Sequence, residues 1–338
     1  MPTLLRIAAV LVLLTGPALA ETTTLTVAGY AGSFETSLRA EVLPLFEKRH
    51  GVRVDYLSGN SSETLARLKG TPPDVVVADD WAIAQAIRSG FCGPIDDLSA
   101  SGLQPAARFA DDRAVALGLA GTGIAYSTKF FSDKGWPAPQ SWNDLKDAKY
   151  RKLIALPPIA NPYGLEALVM LARANGGGEQ DIEPGFTALR ERVGANVASY
   201  ETSLDRMAEL FVAGTAPVLV WGSGRAQYFA NTSNSPMGFV YPKEGTPLAT
   251  AAACPTARPA AHSLASAFVK ALLEPGIQRL FFRDYGYAPA IRNVELPTDK
   301  ATIAPTGDRA GSLIQLDWNR IDAHRDQWIA RWRREIGQ

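Results

Sequence analysis

Segments of β-branched, apolar residues alternate with amphipathic helical patterns along the first third of this sequence. We predict strands at 24–28, 52–57 and 74–78, and the last is apolar throughout, as buried parallel strands are. The helical pattern after the first strand, in which Pro44 predicts a kink, places four apolar residues on one face: Leu38, Val42, Leu45 and Phe46. Such βα repeats require crossover helices and therefore predict a parallel sheet covered by helices.

This pattern also indicates where a binding site would lie. Ligands of open parallel sheets bind beyond the carboxyl ends of the strands, so residues 30–34, 58–62 and 79–81 are the first places to look. Residues 114–128 form an extended segment interrupted by three glycines. Because glycine within a strand marks a bend or a close backbone approach, we predict the first crossing between two lobes here. The turn at 242–247 would open the second crossing.

The first 20 residues have the layout of a secretory signal peptide. Arg6 precedes an apolar run at 7–14, and Ala18 and Ala20 supply the small residues of a cleavage site. The run is shorter than the roughly 20 apolar residues that span a bilayer. We therefore predict cleavage after Ala20 and a periplasmic protein.

Charge and composition argue against several functions. The chain has 34 Lys and Arg against 34 Asp and Glu, which gives no electrostatic basis for binding nucleic acid or a membrane surface. Its three histidines and two cysteines lack the spacing of a zinc site, so we predict no metal site. Cys92 and Cys254 could form a disulfide in an oxidising compartment, or could be two separate buried thiols.

Motifs of common exported enzymes are missing from the sequence. There is no Gly-x-Ser-x-Gly elbow, no pair of zinc-binding histidines and no phosphate-binding P-loop, and Gly222-Ser223-Gly224 lacks the elbow spacing. We therefore predict binding without catalysis, and an exported enzyme stays an alternative.

Seven sequence blocks, in this order, resemble the extracellular solute-binding proteins of ABC importers, which have the type II periplasmic-binding fold. The resemblance covers the chain after the signal peptide and is greatest to the branch of spermidine and putrescine binders. Its landmarks are residues 27–35, 43–48, 74–77, 94–98, 141–145, 218–224 and 241–245.

The resemblance implies an α/β fold of two lobes, each a mostly parallel sheet flanked by helices, joined by two crossing strands. We place the signal peptide at 1–20, the first lobe at 21–120, the second at 121–248, and the return of the first lobe with C-terminal helices at 249–338. It also implies a protein without cofactor that delivers a small solute to a membrane permease. We expect a monomer, and a partner of a membrane sensor is the alternative.

The candidate ligand-binding residues of the first lobe follow its predicted strands: Tyr30, Ser33, Phe34, Asn60, Ser61, Asp79 and Asp80. Backbone N–H groups at Ser33 could attract an anionic or carbonyl group, or Ser33 could simply cap its helix. The turn at 60–62 has the same two interpretations. One of the two aspartates could bind an ammonium group through a charge-assisted hydrogen bond, while the other caps the next helix.

The second lobe contributes five candidates: Tyr163, Glu166, Trp221, Ser223 and Arg225. Trp221 matches the aromatic position of the resembled family, where a ring can hold an organic cation at about 0.5–2 kcal/mol. Arg225 could clamp a carboxylate at two points, or form a salt bridge. Glu166 could receive an amine, or favour the start of its helix.

One departure from the polyamine branch bears on the ligand. Its members carry an aromatic residue and an aspartate after the Lys-Glu-Gly turn, where this chain has Leu248-Ala249-Thr250. We therefore expect a polyamine or, better suited to Arg225, an amino-acid-like amine such as 4-aminobutyrate. The alternative is a small organic anion held by Arg225 and helix N-termini. Ferric ion is not expected, because the second lobe has no adjacent tyrosine pair.

Overall fold

The structure is a computed structural model that describes residues 23–98, 102–233, 235–258 and 261–337. The predicted signal peptide lies outside the described residues. Within the described ranges, no helix combines the length and the apolar character that crossing a membrane requires.

The strands of the described residues form two five-stranded sheets and one two-stranded sheet. In chain order they are β1 (Thr24–Tyr30), β2 (Arg53–Gly59), β3 (Val75–Asp79), β4 (Val115–Ala116), β5 (Thr122–Ser127), β6 (Ile154–Leu156), β7 (Val197–Tyr200), β8 (Val218–Gly222), β9 (Met237–Val240), β10 (Thr246–Pro247), β11 (Ala251–Pro255) and β12 (Leu313–Ile314).

Helices flank the large sheets. They are α1 (Ser33–Ser37), α2 (Leu43–His50), α3 (Ser61–Leu68), α4 (Asp80–Arg88), α5 (Thr128–Lys134), α6 (Pro162–Arg173), α7 (Glu183–Ala188), α8 (Gly194–Asn196), α9 (Leu204–Val212), α10 (Ser223–Ser233), α11 (His262–Ala271), α12 (Pro275–Tyr285), α13 (Asp308–Gly311) and α14 (Trp318–Glu335). A π-helical turn at Leu38–Val42 joins α1 to α2. Pro44 therefore lies in the first turn of α2, where its missing N–H leaves no hydrogen bond unmade.

The two large sheets have the same plan. The first has the strand order β2-β1-β3-β11-β4, and the second has the order β7-β6-β8-β5-β9. Neighbours pair in parallel except around β11 in the first sheet and β5 in the second, each of which is antiparallel to both of its neighbours. The predicted fold class is confirmed: two lobes, each with a mostly parallel sheet flanked by helices.

The chain passes between the lobes twice, and the two crossings pair with each other. Gly121 on the first crossing forms an antiparallel bridge with Leu248 on the second, and the Ala249 N–H donates to the Ala120 carbonyl at 3.0 Å. A Cβ atom on Gly121 would lie 2.7 Å from the Pro247 carbonyl oxygen. The backbones therefore approach as closely as the glycine-rich sequence suggested, while the lobe limits at 120 and 248 stay predictions.

Each lobe has its own core, and α14 connects them. Trp318, Trp328 and Trp332 of α14 pack into the core of the second lobe. On the side of the first lobe, Arg88 of α4 forms a 2.6 Å ion pair with Asp322 of α14. The C-terminal helix therefore contacts both lobes.

A disulfide joins Cys92, which follows α4, to Cys254 in β11, with their Cα atoms 5.7 Å apart. Of the two alternatives left by the sequence, this structure therefore has the bonded one. The bond ties the returning strand of the first lobe to residues 162 positions earlier in the chain.

Candidate ligand-binding site

A cleft of about 880 Å³ lies between the two lobes, within the size range of small-molecule sites. It opens where β1, β3 and β8 end, which is the edge of the sheets at which ligands bind in open α/β folds. Seven of the candidate residues line it: Tyr30, Ser33, Phe34, Asp79, Tyr163, Trp221 and Arg225. Their contact with a solute stays a prediction.

Five other candidates do not line the cleft, because they have structural partners elsewhere. Asn60 accepts a hydrogen bond from the Glu63 N–H at 3.0 Å in a capping box of α3. Ser223 is fully buried, and its hydroxyl accepts from the Gly121 N–H at 3.0 Å. The remaining three, Ser61, Asp80 and Glu166, are also buried.

Ser33 and the two aspartates differ in detail from the sequence-based interpretation. Gly32, with φ of 75°, occupies the cap position of α1, and Ser33 is the first residue of that helix. Asp79 occupies the cap position of α4 without a side-chain capping bond. Because successive side chains at the end of a strand point to opposite faces, Asp79 faces the cleft while Asp80 faces the interior.

Asp79 is held in place by two hydroxyl donors. The Tyr30 hydroxyl donates to Oδ1 at 2.8 Å, and the Ser61 hydroxyl donates to Oδ2 at 2.7 Å. Burial, with the charge of Asp79, raises the pKa of Tyr30 well above its usual value, so its hydroxyl remains a donor. Each carboxylate oxygen keeps further accepting capacity for a ligand.

Arg225, on the second lobe, lines the same cleft as Asp79. It is exposed in the first turn of α10, and none of the ion pairs of the described residues includes it. Among the described residues that line the cleft, it is the only cationic side chain. The acidic side chains that line the cleft are those of Asp79, Asp205 and Asp284. Asp284 already pairs with Arg283.

Tyr163 lies beside Arg225. Burial raises the pKa of Tyr163 to about 12 although the charge of Arg225 opposes the rise, so the hydroxyl stays protonated. A Cβ atom on Gly222 would lie 2.5 Å from the Tyr163 hydroxyl. Gly222 at the end of β8 therefore makes room for Tyr163.

Trp221 is only 3% exposed and packs edge-on against Phe229, with ring centroids 5.8 Å apart. Little of its surface is open to a solute in this state, so it acts mainly as a packing residue of the second lobe. Its indole N–H is buried without an acceptor among the described residues.

Tyr285 and Tyr287 line the cleft and were missed from the sequence. Tyr285 is the last residue of α12 and Tyr287 follows it, in the return of the first lobe. Both are far along the chain from Phe34, whose ring lies 5.4 Å from that of Tyr285. The Tyr285 hydroxyl donates to the Ser33 carbonyl at 3.2 Å. Gly286 between the two tyrosines, a helix-ending residue with φ of 69°, was the signal that could have identified them.

Tyr285 and Tyr287 form an aromatic wall of the first lobe, and the second lobe touches it. A Cβ atom on Gly224 of α10 would lie 2.8 Å from the Tyr285 carbonyl oxygen and 3.0 Å from the Tyr287 ring. The absence of a side chain at Gly224 therefore allows the second lobe to meet the aromatic wall of the first. Within the part of the chain that the structure describes, no group of acidic, histidine or cysteine side chains could hold a metal ion.

Solved structures of other proteins have a similar fold. Among solved structures, an ABC transporter protein from Clostridium perfringens is 22% identical, covers 92% of this chain and 99% of its own, and has a TM-score of 0.80. A ferric binding protein from Campylobacter jejuni is 19% identical with 93% and 99% coverage and a TM-score of 0.70. A periplasmic binding protein from Actinobacillus pleuropneumoniae with bound fructose-6-phosphate is 18% identical with 94% and 99% coverage and a TM-score of 0.67.

At these identities the structural similarities establish the fold alone. No curated protein matches the chain. The family model of bacterial extracellular solute-binding proteins matches residues 25–288, which is most of the sequence and includes strands from both lobes. The chain therefore belongs to the bacterial extracellular solute-binding protein family.

Proposed function

We propose that this protein is the substrate-binding component of an ABC importer and that its solute is a small amine bearing a carboxylate, of which 4-aminobutyrate is a simple example. The observation that carries this proposal is Arg225, a cation without a carboxylate partner among the described residues, in the same cleft as Asp79. The spermidine and putrescine branch suggested by the sequence remains a prediction.

Arg225 is suited to the carboxylate end of such a solute. A guanidinium group presents paired N–H donors that match a carboxylate at two points. The N–H groups at the start of the 11-residue helix α10 also favour a carboxylate there, because a helix N-terminus attracts negative charge. The Tyr163 hydroxyl beside Arg225 adds a neutral donor.

Asp79 is suited to the amine end. Its two oxygens are oriented by Tyr30 and Ser61, so the carboxylate needs no rearrangement before it accepts from an ammonium group. The rings of Phe34 and Tyr285 lie on the same side of the cleft and can favour a cation by a further 0.5–2 kcal/mol or so.

A polyamine fits less well. A dication would place its second ammonium group near Arg225, and the acid that the polyamine branch carries after the Lys-Glu-Gly turn is missing. Ala249, from the segment that replaces it, lines the cleft instead. A small organic anion is the second candidate, favoured by Arg225 itself.

The family is extracellular, and we propose that the chain is exported to the periplasm with cleavage after Ala20 and acts as a monomer. Delivery to a permease, as opposed to a membrane sensor, would be decided by which membrane protein binds the loaded form. We propose no chemical change of the solute.

Calorimetry and thermal unfolding with three solutes that share a four-carbon chain and differ in their charged ends test the ligand class. We expect 4-aminobutyrate to stabilise the protein by about 2.7 kcal/mol at a hundredfold excess over its Kd, and putrescine and butyrate to bind more weakly. Binding of putrescine alone, or of none of the three, would contradict the proposed solute.

Arg225→Gln tests the residue. We expect it to weaken 4-aminobutyrate at least about tenfold, because a hydrogen bond to a charged group contributes about 1.5–3 kcal/mol. Arg206→Gln, which removes an exposed arginine paired with Glu209 on the surface of α9, is the matched control and should bind like the wild type. An equal loss of affinity in both variants would show that Arg225 does not bind the solute.

A further inference from the structure

Tyr228 on α10 is an aromatic residue that lines the cleft and is 46% exposed. The other large hydrophobic side chains exposed among the described residues, Leu45 and Val212, lie outside the cleft. Within the described ranges the Tyr228 ring contacts no other ring and no cation, and its hydroxyl forms no hydrogen bond. Its aromatic face is therefore available to a solute in the cleft.

Tyr228 lies on the same face of α10 as Arg225. Residues three apart on a helix are neighbours on its surface, and both of these side chains line the cleft. A carboxylate bound by Arg225 would therefore lie beside the Tyr228 ring. The body of the solute next to that carboxylate would meet an aromatic surface.

The surface of the second lobe around Tyr228 is apolar as well. Leu204 and Ala208 of α9 and Phe229 of α10 line the cleft and pack against the core cluster that contains Trp221. The second lobe therefore presents an apolar surface next to its carboxylate-binding arginine.

The first lobe contributes aromatic rings to the same cleft. The rings of Tyr285 and Tyr287 in the aromatic wall have centroids 6.0 Å apart, and Phe34 packs beside Tyr285. Both tyrosines of the wall are only half-buried, so part of each ring is open to the cleft. Because removing apolar surface from water is favourable, apolar surfaces on both lobes favour a solute whose body is apolar too.

The cleft is also larger than a four-carbon solute requires. 4-Aminobutyrate has the volume of a few water molecules, each about 30 Å³, whereas the cleft has about 880 Å³ in this arrangement of the lobes. Small-molecule sites cover most of the surface of their ligand. A solute with the same charged ends and a bulkier body would cover more of both apolar surfaces.

We propose that the solute carries a planar ring between its charged ends and that Tyr228 selects for this ring. The ring would lie between Tyr228 of the second lobe and the aromatic wall of the first, with the carboxylate at Arg225 and the ammonium group at Asp79. Aromatic pairs contribute more than the area they bury, so a ring gains more here than an alkyl chain. The charged ends, but not the ring, rest on the proposed function.

Calorimetry with three pairs of solutes tests the ring. The members of a pair carry the same charged groups, and only the first has a ring: 4-(aminomethyl)benzoate and 4-aminobutyrate, 1,4-bis(aminomethyl)benzene and putrescine, 4-methylbenzoate and butyrate. We expect 4-(aminomethyl)benzoate to bind about tenfold more tightly than 4-aminobutyrate.

The ratio of affinities within a pair tests the ring, and the identity of the pair that binds tests the proposed function. Equal or weaker binding of the ring-bearing member in the pair that binds would overturn the inference, as would the absence of binding in all three pairs. A ring preference found only for the diamines or only for the anions would support the ring and contradict the proposed charged ends.

Tyr228→Ala tests the residue. We expect a two- to tenfold or so loss of affinity for 4-(aminomethyl)benzoate and a nearly unchanged Kd for 4-aminobutyrate. Tyr228→Phe keeps the ring and should keep the preference. Val212→Ala, which removes an exposed apolar side chain of α9 outside the cleft, is the matched control and should bind both solutes like the wild type. Each variant is judged by the ratio of two affinities, which a partial loss of folded protein does not change. A ring preference that persists in Tyr228→Ala would overturn the role of this residue.

Discussion

Single residues decide how much of the cleft is available to a solute. Asp79 is oriented by two hydroxyl donors, and Arg225 lacks an acidic partner among the described residues. Gly222 and Gly224 also shape the cleft, because neither has a side chain. A Cβ atom on Gly222 would overlap Tyr163, and a Cβ atom on Gly224 would overlap the aromatic wall of the first lobe. The shape of the cleft therefore depends on glycines as much as on polar groups.

Gly222→Ala should destabilise the protein by about 1–3 kcal/mol, because the added methyl group would overlap the Tyr163 hydroxyl in a packed site. Urea unfolding measures the change. Gly276→Ala on α12 is the control, since a Cβ atom there meets nothing within 4 Å, and it should change stability by no more than about 0.5 kcal/mol, or stabilise the helix. Equal effects at both positions would show that the contact with Tyr163 is unimportant.

Among the helices and strands, α14 stands out because it contacts both lobes. Its tryptophans pack into the core of the second lobe, while Asp322 pairs with α4 of the first lobe and Arg325 lies over the Trp81 ring at 5.2 Å. Near its end, Trp332 packs edge-on against Tyr200 of β7 at 5.5 Å. The helix therefore completes the core of the second lobe and also contacts the first lobe.

Trp332→Ala should lower the free energy of unfolding by about 3–5 kcal/mol, the usual cost of removing a buried tryptophan. Trp332 is 2% exposed, so its removal leaves a cavity against Tyr200. Leu45→Ala on α2, where the side chain is 60% exposed, is the apolar control and should change stability by about 0.5 kcal/mol or less. A loss below about 1 kcal/mol for Trp332→Ala would mean that α14 is not part of the core.

At the scale of the whole molecule, two crossings and α14 connect the lobes, and Asp80 is a buried acid directly after β3 of the first lobe. The carboxyl group of Asp80 has an ordinary pKa of 3.8, and burial raises it to about 8 in the folded chain. Between these values the folded chain binds one more proton than the unfolded chain. Stability must therefore fall as the pH rises through this interval.

We expect the unfolding free energy to decrease by up to about 1.4 kcal/mol per pH unit between about pH 5 and pH 8. Carboxylates with lowered pKa values, such as Glu183, titrate below this range and do not obscure it. Urea unfolding at several pH values measures the slope, which should be shallower in Asp80→Asn. A wild type whose stability rises with pH over this interval would contradict the burial of a protonated acid.

The site was only partly predictable from sequence, and the residues show why. Tyr30 and Asp79 are the last residues of their strands, and Arg225 comes three residues after the end of β8. Their place at the edge of a sheet is therefore a local property of the chain. Tyr285 and Tyr287 reach the same cleft only because the chain returns to the first lobe. Long-range pairing of that kind leaves no periodic signal near either partner.

What the sequence determined by itself was the alternation of strands and helices, and with it the parallel sheets and the edge where a site could form, because period and turn chemistry act between near neighbours. Tertiary structure alone decided which polar side chains face the cleft. Asp79 and Asp80 are adjacent and chemically identical, yet one lines the cleft and the other is buried beneath it. Burial, hydrogen-bond partners and therefore pKa depend on segments that come together only when both lobes have folded.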